Sequence, residues 1–514
     1  FASLAEGALF DIGANQFRIS YVGGTGNDVV LTAVVPVTIT LSGLAQTYDG
    51  EPKPIGVTTT PANIPLSITY NDGATVPTDA GSYAVVVSPA DPSYLGSAEG
   101  TLVIAKAAAS VTLGLLEQTY DGSPKSVTVT TAPAGLPVML SYNGTATAPT
   151  NAGSYAVTAV INHPNYTGSA AGTLGVAKAE AAITLAPLSQ PYTGTPREVT
   201  ATTTPADLVV KLSYDGAEAA PIYPGGHTVV ATIEDPNYGG TASGTLQITI
   251  TALVRHGPTF DGMVDGSVQV LAAENVILNG ASTLSGDLLM PGTPTLRLNG
   301  SPTVGGVKDG PGNATPTTHT VTINGDAVVR YVVRRVDAIA LPGVAAPPKP
   351  AGNRSVTLTS SGQSIGDPVT LKNLTLGGGA GEVAVPPGTY GSFTANGGTG
   401  FVFGVVGATE PAVYNLQSLT LNGSVALRVV GPVTLTLGGG LTFSGTVGTA
   451  GKSEWLTLRL AAGGVTLNTG ASLHGEVIAP AGTVSIGSNA AVHGMISADR
   501  LQVGTDGLLD DTGL

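Results

Sequence analysis

Val, Ile, Leu and Thr alternate with small or polar residues along most of the chain, as in Val37–Leu41, Ser82–Val87 and Thr101–Ala105. A period of two puts alternate side chains on opposite faces of a strand. Strong helix formers never recur at helical spacing over three turns. The most apolar runs, such as Phe401–Val406, are short and bounded by glycine. None approaches the ~18–20 apolar residues of a spanning helix. The pattern predicts an all-β chain that does not span a membrane.

The alternation is organised by an internal repeat. Tyr48, Tyr120 and Tyr192 are 72 residues apart, and so are Tyr70, Tyr142 and Tyr214, and Tyr94, Tyr166 and Tyr238. Gly100-Thr101, Gly172-Thr173 and Gly244-Thr245 keep the same register. Each copy opens with an alternating run and a turn, Tyr48-Asp49-Gly50 or Tyr120-Asp121-Gly122, with Tyr192-Thr193-Gly194 in the third. Asp-Gly tolerates positive φ and suits a hairpin. Several short strands within about 70 residues predict a small β-sandwich. The boundaries fall at 37–107, 108–179 and 180–251. Connections such as Ala105–Ala109 are too short to let the modules swing freely. Tyr48, Tyr120 and Tyr192 are expected to occupy equivalent, largely buried environments against the proline four residues on.

Residues 252–514 change character. Leu278-Asn279-Gly280 is followed twenty residues later by Leu298-Asn299-Gly300, and His474-Gly475 nineteen later by His493-Gly494. A period of 19–20 residues fits the coil of a parallel β-helix. The stretch Gly305–Pro316 and the Pro-rich run Pro342–Pro350 interrupt the rhythm and read as loops or a crossover. The fold class is therefore three tandem Ig-like β-sandwich modules followed by a parallel β-helix.

Residues 1–36 form a separate segment with two strand-like runs, Gln16–Tyr21 and Val29–Val34. Between them, Gly23-Gly24-Thr25-Gly26-Asn27-Asp28 satisfies one nonapeptide of a calcium-binding β-roll. Calcium needs oxygen ligands from stacked copies, and only one copy is present, so a glycine-rich turn is expected and no metal is assigned. The start at Phe1 reads as a processed product or an excised fragment.

Composition narrows the function. The net charge of −14 argues against nucleic acid, which needs clustered Lys and Arg. The absence of cysteine excludes disulfides, thiol nucleophiles and Cys-ligated metals. Charged residues are 11% of the chain, well under the ~25% of an ordinary soluble domain. The carboxylates of the last hundred residues (Glu454, Glu476, Asp499, Asp506, Asp510 and Asp511) are scattered, and glycosidase-type sites need a facing pair. His474 and His493 should stack on adjacent coils, with no third metal ligand evident. His163 and His227 replace Asp91 and Tyr83 of the first copy and read as surface or rim substitutions. Arg330–Arg335 interrupts a Val-rich strand and reads as outward charges guarding a sheet edge. No catalytic residue, cofactor or metal site is assigned, and an enzyme is not expected.

The Tyr-Asp-Gly-x-Pro-Lys opening (Tyr48–Lys53, Tyr120–Lys125), the closing Ala-Gly-Ser-Tyr, Pro-x-Tyr-x-Gly and Gly-Thr-Leu resemble MBG-type and bacterial immunoglobulin-like modules of secreted adhesins. The third copy departs, with Arg197 for Lys and Gly226-His227 for Ser-Tyr. The coils of 467–508 resemble bactofilin-like polymer-forming β-helices. The run Phe17–Tyr21 with Gly-Asn-Asp-Val-Val-Leu-Thr resembles the closing strands of passenger β-solenoids, which would make residues 1–36 the tail of a longer upstream fold. These resemblances imply a stalk at the bacterial cell surface. A head-to-tail filament is expected, in which the N-terminal strands, unpartnered in their own module, pair with the open last coil of the next copy. Other surface proteins are alternative partners. A glycan-binding adhesin is the alternative function. It would need Tyr331, Tyr390, Tyr414 and Trp455 clustered and exposed. A polysaccharide-degrading β-helix enzyme is the remaining reading.

Overall fold

The computed structural model describes residues 3–26 and 28–511. Among the described residues, apart from one 3-10 turn at Ser453–Trp455, every regular element is a strand. The chain divides into two compact units. The first holds Phe1–Ala181 with Ile233–Gly240, and the second Ala182–Thr232 with Thr241–Leu514.

Each module is a two-layer sandwich. In the first, Ala45–Thr47, Ala98–Ala105, Gly81–Pro89 and Leu66–Tyr70 form a four-stranded sheet, faced by the antiparallel pair Thr38–Ser42 and Gly56–Thr60. Val103, Ile104 and Ala105 pair in parallel with Ala45, Gln46 and Thr47. The Asp49-Gly50 turn therefore carries the chain from one sheet to the other and closes no hairpin. The core is Ile55, Tyr70, Val85, Leu102 and Ile104, and each position recurs 72 residues on, as Val127, Tyr142, Val157, Leu174 and Val176. Val199, Tyr214, Val229, Leu246 and Ile248 complete the series. The buried tyrosines are thus Tyr70, Tyr142 and Tyr214, whose hydroxyls accept from the backbone N–H of Ile55, Val127 and Val199. Tyr48, Tyr120 and Tyr192, expected to be largely buried, are only half-buried at the sandwich rim.

The N-terminal strands have partners after all. Leu9–Ile12, Asn15–Gly23 and Asp28–Pro36 form an antiparallel meander, and Val35 and Pro36 continue it onto Tyr94 and Leu95 of the first module. Gly23–Asp28 is the hairpin turn between two of these strands. Asn27 of that motif lies outside the described residues.

The solenoid is parallel throughout, but its coils are not stacked in chain order. From Arg354–Leu358 the coils advance one above another to Glu476–Ile486 and Ile496–Val503. Ile496, Ser497 and Ala498 then pair with Ala252, Leu253 and Val254, the first strand of the region. The stack continues through Val268–Val270, Thr283–Leu289 and Val328–Arg334. It ends in the coil 295–309, which pairs with 320–334. Three sequence expectations change as a result. The last coil is covered by its own chain, so it cannot receive another copy's N-terminal strands. Leu278 and Leu298 are not neighbours, because Ile323 stands between them. Val328–Arg334 is an interior strand, and its arginines guard no edge: Arg330 pairs with Asp287 and Arg334 with Asp309.

The Pro-rich run is the crossover that returns the chain to the far end of the stack. The Gln417 amide donates to the carbonyls of Pro347 and Pro348, and Arg459 to that of Gly343. Inward Val, Leu and Phe form one continuous core from Ala252 to Leu509. Coils approach closely enough that a Cβ on Gly482 would meet the Gly463 carbonyl oxygen at 1.9 Å, so the position admits only glycine.

Candidate functional site

The most regular polar constellation lies at the module junctions of the first unit. The Asn165 side-chain oxygen accepts from the Ala80 N–H at 2.8 Å, and its amide donates to Asp79 at 2.7 Å. Ala107 and Ala108 pair with Tyr166 and Thr167, and the Lys106 ammonium donates to the His163 carbonyl at 2.8 Å. Tyr48 meets Tyr166 edge to face, with centroids 5.4 Å apart. The set recurs 72 residues on. Asn237 accepts from Ala152 N–H at 2.8 Å and donates to Asn151 at 3.2 Å, Lys178 donates to the Asp235 carbonyl, and Tyr120 meets Tyr238 at 5.3 Å. Side-chain amides, strand pairing and aromatic edges together leave no free linker. Val35 on Tyr94 repeats the strand pairing a third time, at the entry to the first module.

The sequence carried this signal in the middle residue of Pro-x-Tyr. It is Ser93 in the first copy and Asn165 and Asn237 in the two copies that follow another module. Asparagine at that place offers the preceding module an acceptor and a donor on separate atoms, which a serine hydroxyl does not.

The turn beside each clamp carries an ion pair. Lys53 reaches Asp49 and Lys125 reaches Asp121. Hydrogen bonding from the lysine holds both carboxyls below the usual range. Thr193 and Arg197 replace this pair in the third module, and Tyr192 turns to a different partner. Its hydroxyl donates to Asp287 at 2.9 Å, while Arg330 Nε donates to the other carboxylate oxygen at 2.7 Å and its Nη2 to the Thr193 carbonyl at 3.3 Å. The Asp287 side chain is 2% exposed. Burial, then the Asp287 charge, push the Tyr192 phenol far up, and the bond to Asp287 raises Arg330.

His227 is no bare rim substitution. Nδ1 lies 2.8 Å from an Asp215 carboxylate oxygen and Nε2 3.0 Å from the Tyr223 carbonyl oxygen, so the ring bridges a side chain and the backbone. It takes the place of the Tyr83 and Tyr155 hydroxyls, which donate to the carbonyls of Asp79 and Asn151. His163 Nδ1 accepts from the Asn165 N–H at 3.1 Å.

On the solenoid, His474 and His493 stack as the 19-residue spacing predicts, with centroids 4.7 Å apart and an interplanar angle of 11°. His493 Nδ1 bonds Asp510 at 3.0 Å, Asp510 is in register with Asp265, and Ser285 donates to Asp265 at 2.6 Å. Among the described residues no group of three or more His, Asp or Glu could hold a metal ion. Burial, then the neighbouring His493, lower the His474 pKa, whereas burial raises that of Glu476. His474 thus adds stability that is complete above its unfolded value of 6.5 and is lost as pH falls through its depressed folded value. Glu476 acts oppositely, losing stability as pH rises through its raised value. His474→Gln should therefore flatten the fall of the solenoid's melting temperature between pH 7.5 and 5. Trp455 is the chain's single tryptophan and packs against the solenoid core, so its fluorescence reports the transition. An unchanged slope would show that another group carries it.

The aromatic platform a glycan binder would need is not assembled. Tyr390 and Tyr414 are buried in a ring series with Phe393, Phe401 and Phe403, and their hydroxyls donate to the carbonyls of Pro386 and Val385. Lys308 covers the Tyr331 ring at 3.4 Å, and Trp455 is half-buried against the core.

Residues 37–108, 109–180 and 181–252 each match the MBG domain. No curated protein matches the chain. Among solved structures it is similar to immunoglobulin domains 1–5 of Sidekick-1, at 13% identity over 49% of this chain and 69% of that one, with a TM-score of 0.17. The crystal structure of domains 1–4 gives 12% identity, 46% and 82% coverage, and the same TM-score. Scores that low carry no argument, and the Ig-like character rests on the strand pairing above.

Proposed function

We propose that this chain is a structural, adhesin-type protein of the bacterial cell surface, with its first two MBG modules serving as a spacer that does not articulate. Three tandem MBG domains fit a cell-surface adhesin-type or structural role. The observation that carries the reading is the junction clamp, repeated at Asn165 and Asn237 with no linker between strands. A spacer must transmit position along its length, and a clamp of amide bonds, paired strands and aromatic edges does so where a flexible linker would not. Scattered carboxylates and the absence of cysteine support a non-enzymatic role. The half-buried or covered aromatics support a spacer over a glycan platform.

Small-angle scattering of the full chain tests the spacer. The native protein should scatter as a rigid body through modules one and two. Asn165→Ala with Asp79→Ala should add flexibility without changing the far-UV spectrum. A native chain that is already flexible would sink the reading. Surface location is tested separately, by antibody binding to intact, unpermeabilised cells.

A further inference from the structure

The two ends of the solenoid are finished differently. At the Arg354–Leu358 end the following loop folds across the core. Ile365 packs on the core, and Arg354 holds the loop by donating to the carbonyls of Ile365 at 2.6 Å and Asp367 at 2.8 Å. Among the described residues, none covers the 295–309 end in this way. Leu298 is in register with Ile323 and Val307 with Val332, so both point toward the core. Ile323 and Val332 are 0% and 1% exposed, whereas Leu298 and Val307 are 51% and 41% exposed. Thr295–Gly300 is also the edge strand of its three-stranded face. Stacked repeats normally end in a polar cap, and unpaired strand edges invite pairing.

We infer that two copies of this chain join end to end through the coil 295–309, by antiparallel pairing of Thr295–Gly300 with the same strand of the second copy. The strand selects its own register. Pairing centred on Arg297 would oppose two guanidinium groups, and pairing centred between Arg297 and Leu298 would set a core-facing residue against an outward one. Centring on Leu298 places Leu298 against its twin, both core-facing, and Arg297 opposite Asn299. The Asn299 amide already donates to Asn324, which leaves its side-chain oxygen free to accept from the arginine. A two-fold axis through Leu298 then continues the sheet and buries Leu298 and Val307 of both copies. Because the other end is capped by its own loop, the assembly closes as a dimer and does not propagate into a filament.

The chain has no cysteine, so a single introduced thiol is unambiguous. Directly opposed residues of an antiparallel pair lie ~4.5–5.5 Å apart at Cα, within disulfide reach. Sedimentation of the full chain should give twice the monomer mass, and Leu298→Cys should crosslink to a dimer under mild oxidation. Val369→Cys, 77% exposed in the capping loop, should not. Leu298→Arg with Val307→Arg should halve the mass and leave the Trp455 melting curve in place. Should Leu298→Cys misfold, a mixture of Thr295→Cys and Ser301→Cys chains should crosslink while neither does alone. A monomer at high concentration, an open-ended polymer, or a dimer that these thiols fail to trap would each overturn the proposal.

Discussion

Arg330→Ala should destabilise the second unit by about 3 kcal/mol, the low end of the cost of breaking a buried ion pair, because Asp287 is buried while the Arg330 side chain is 40% exposed. The large effect comes from what remains. Asp287 has its side chain 98% out of water, and without the guanidinium the Tyr192 hydroxyl is the donor left to its carboxylate. Replacing both charges, with Asp287→Leu and Arg330→Met, should recover most of the loss, because the penalty lies in the orphaned charge. Chemical denaturation followed by Trp455 measures both variants. A loss under about 1 kcal/mol would mean that the carboxylate is effectively solvated, as in a surface pair.

The second large effect is at Phe403, which is fully buried and stacked 4.2 Å from Tyr414 at 8° between planes. Phe403→Ala should cost about 3–5 kcal/mol for lost area and cavity, with a further ~0.5–1.5 kcal/mol for the aromatic pair. Tyr414 adds leverage, since its hydroxyl joins the Val385 carbonyl to the Gly404 N–H and the cavity would loosen both bonds. Phe403→Leu should recover roughly half. Equal losses in the two variants would point to collapse of the site rather than to a cavity.

The modules were legible in the sequence because nothing intervenes between their copies: a fixed step of 72 residues carries every core position. The solenoid was legible only where neighbours in space are also neighbours in sequence. His474 and His493 lie on consecutive coils, and their stacking followed from the spacing. Leu278 and Leu298 show a similar spacing but are separated by a coil contributed by residues 320–334. Periodicity reports that a coil exists and not which coil lies beside it. Asp287, Arg330 and Tyr192 were out of reach for the same reason, since their meeting depends on how a module and a solenoid dock. The Arg330–Arg335 cluster shows the converse. Charge alternating with valine looks alike on an edge strand and on an interior strand whose outward side has ion-pair partners.

Because strand 496–498 lies against strand 252–254, the solenoid begins and ends at one place in the middle of its own stack. A ribosome or a secretion pore delivers the chain from the N-terminus, so the coils 252–334 emerge with one edge of their first strand bare. They remain so until roughly one hundred and sixty further residues have followed. The domain cannot be sealed progressively, and its last step is a closure between its most distant parts, which raises contact order and slows folding. The same geometry makes the present termini of the domain arbitrary. Joining residue 511 to residue 252 and opening the chain within Pro342–Pro350 would yield a circularly permuted solenoid with every ladder intact.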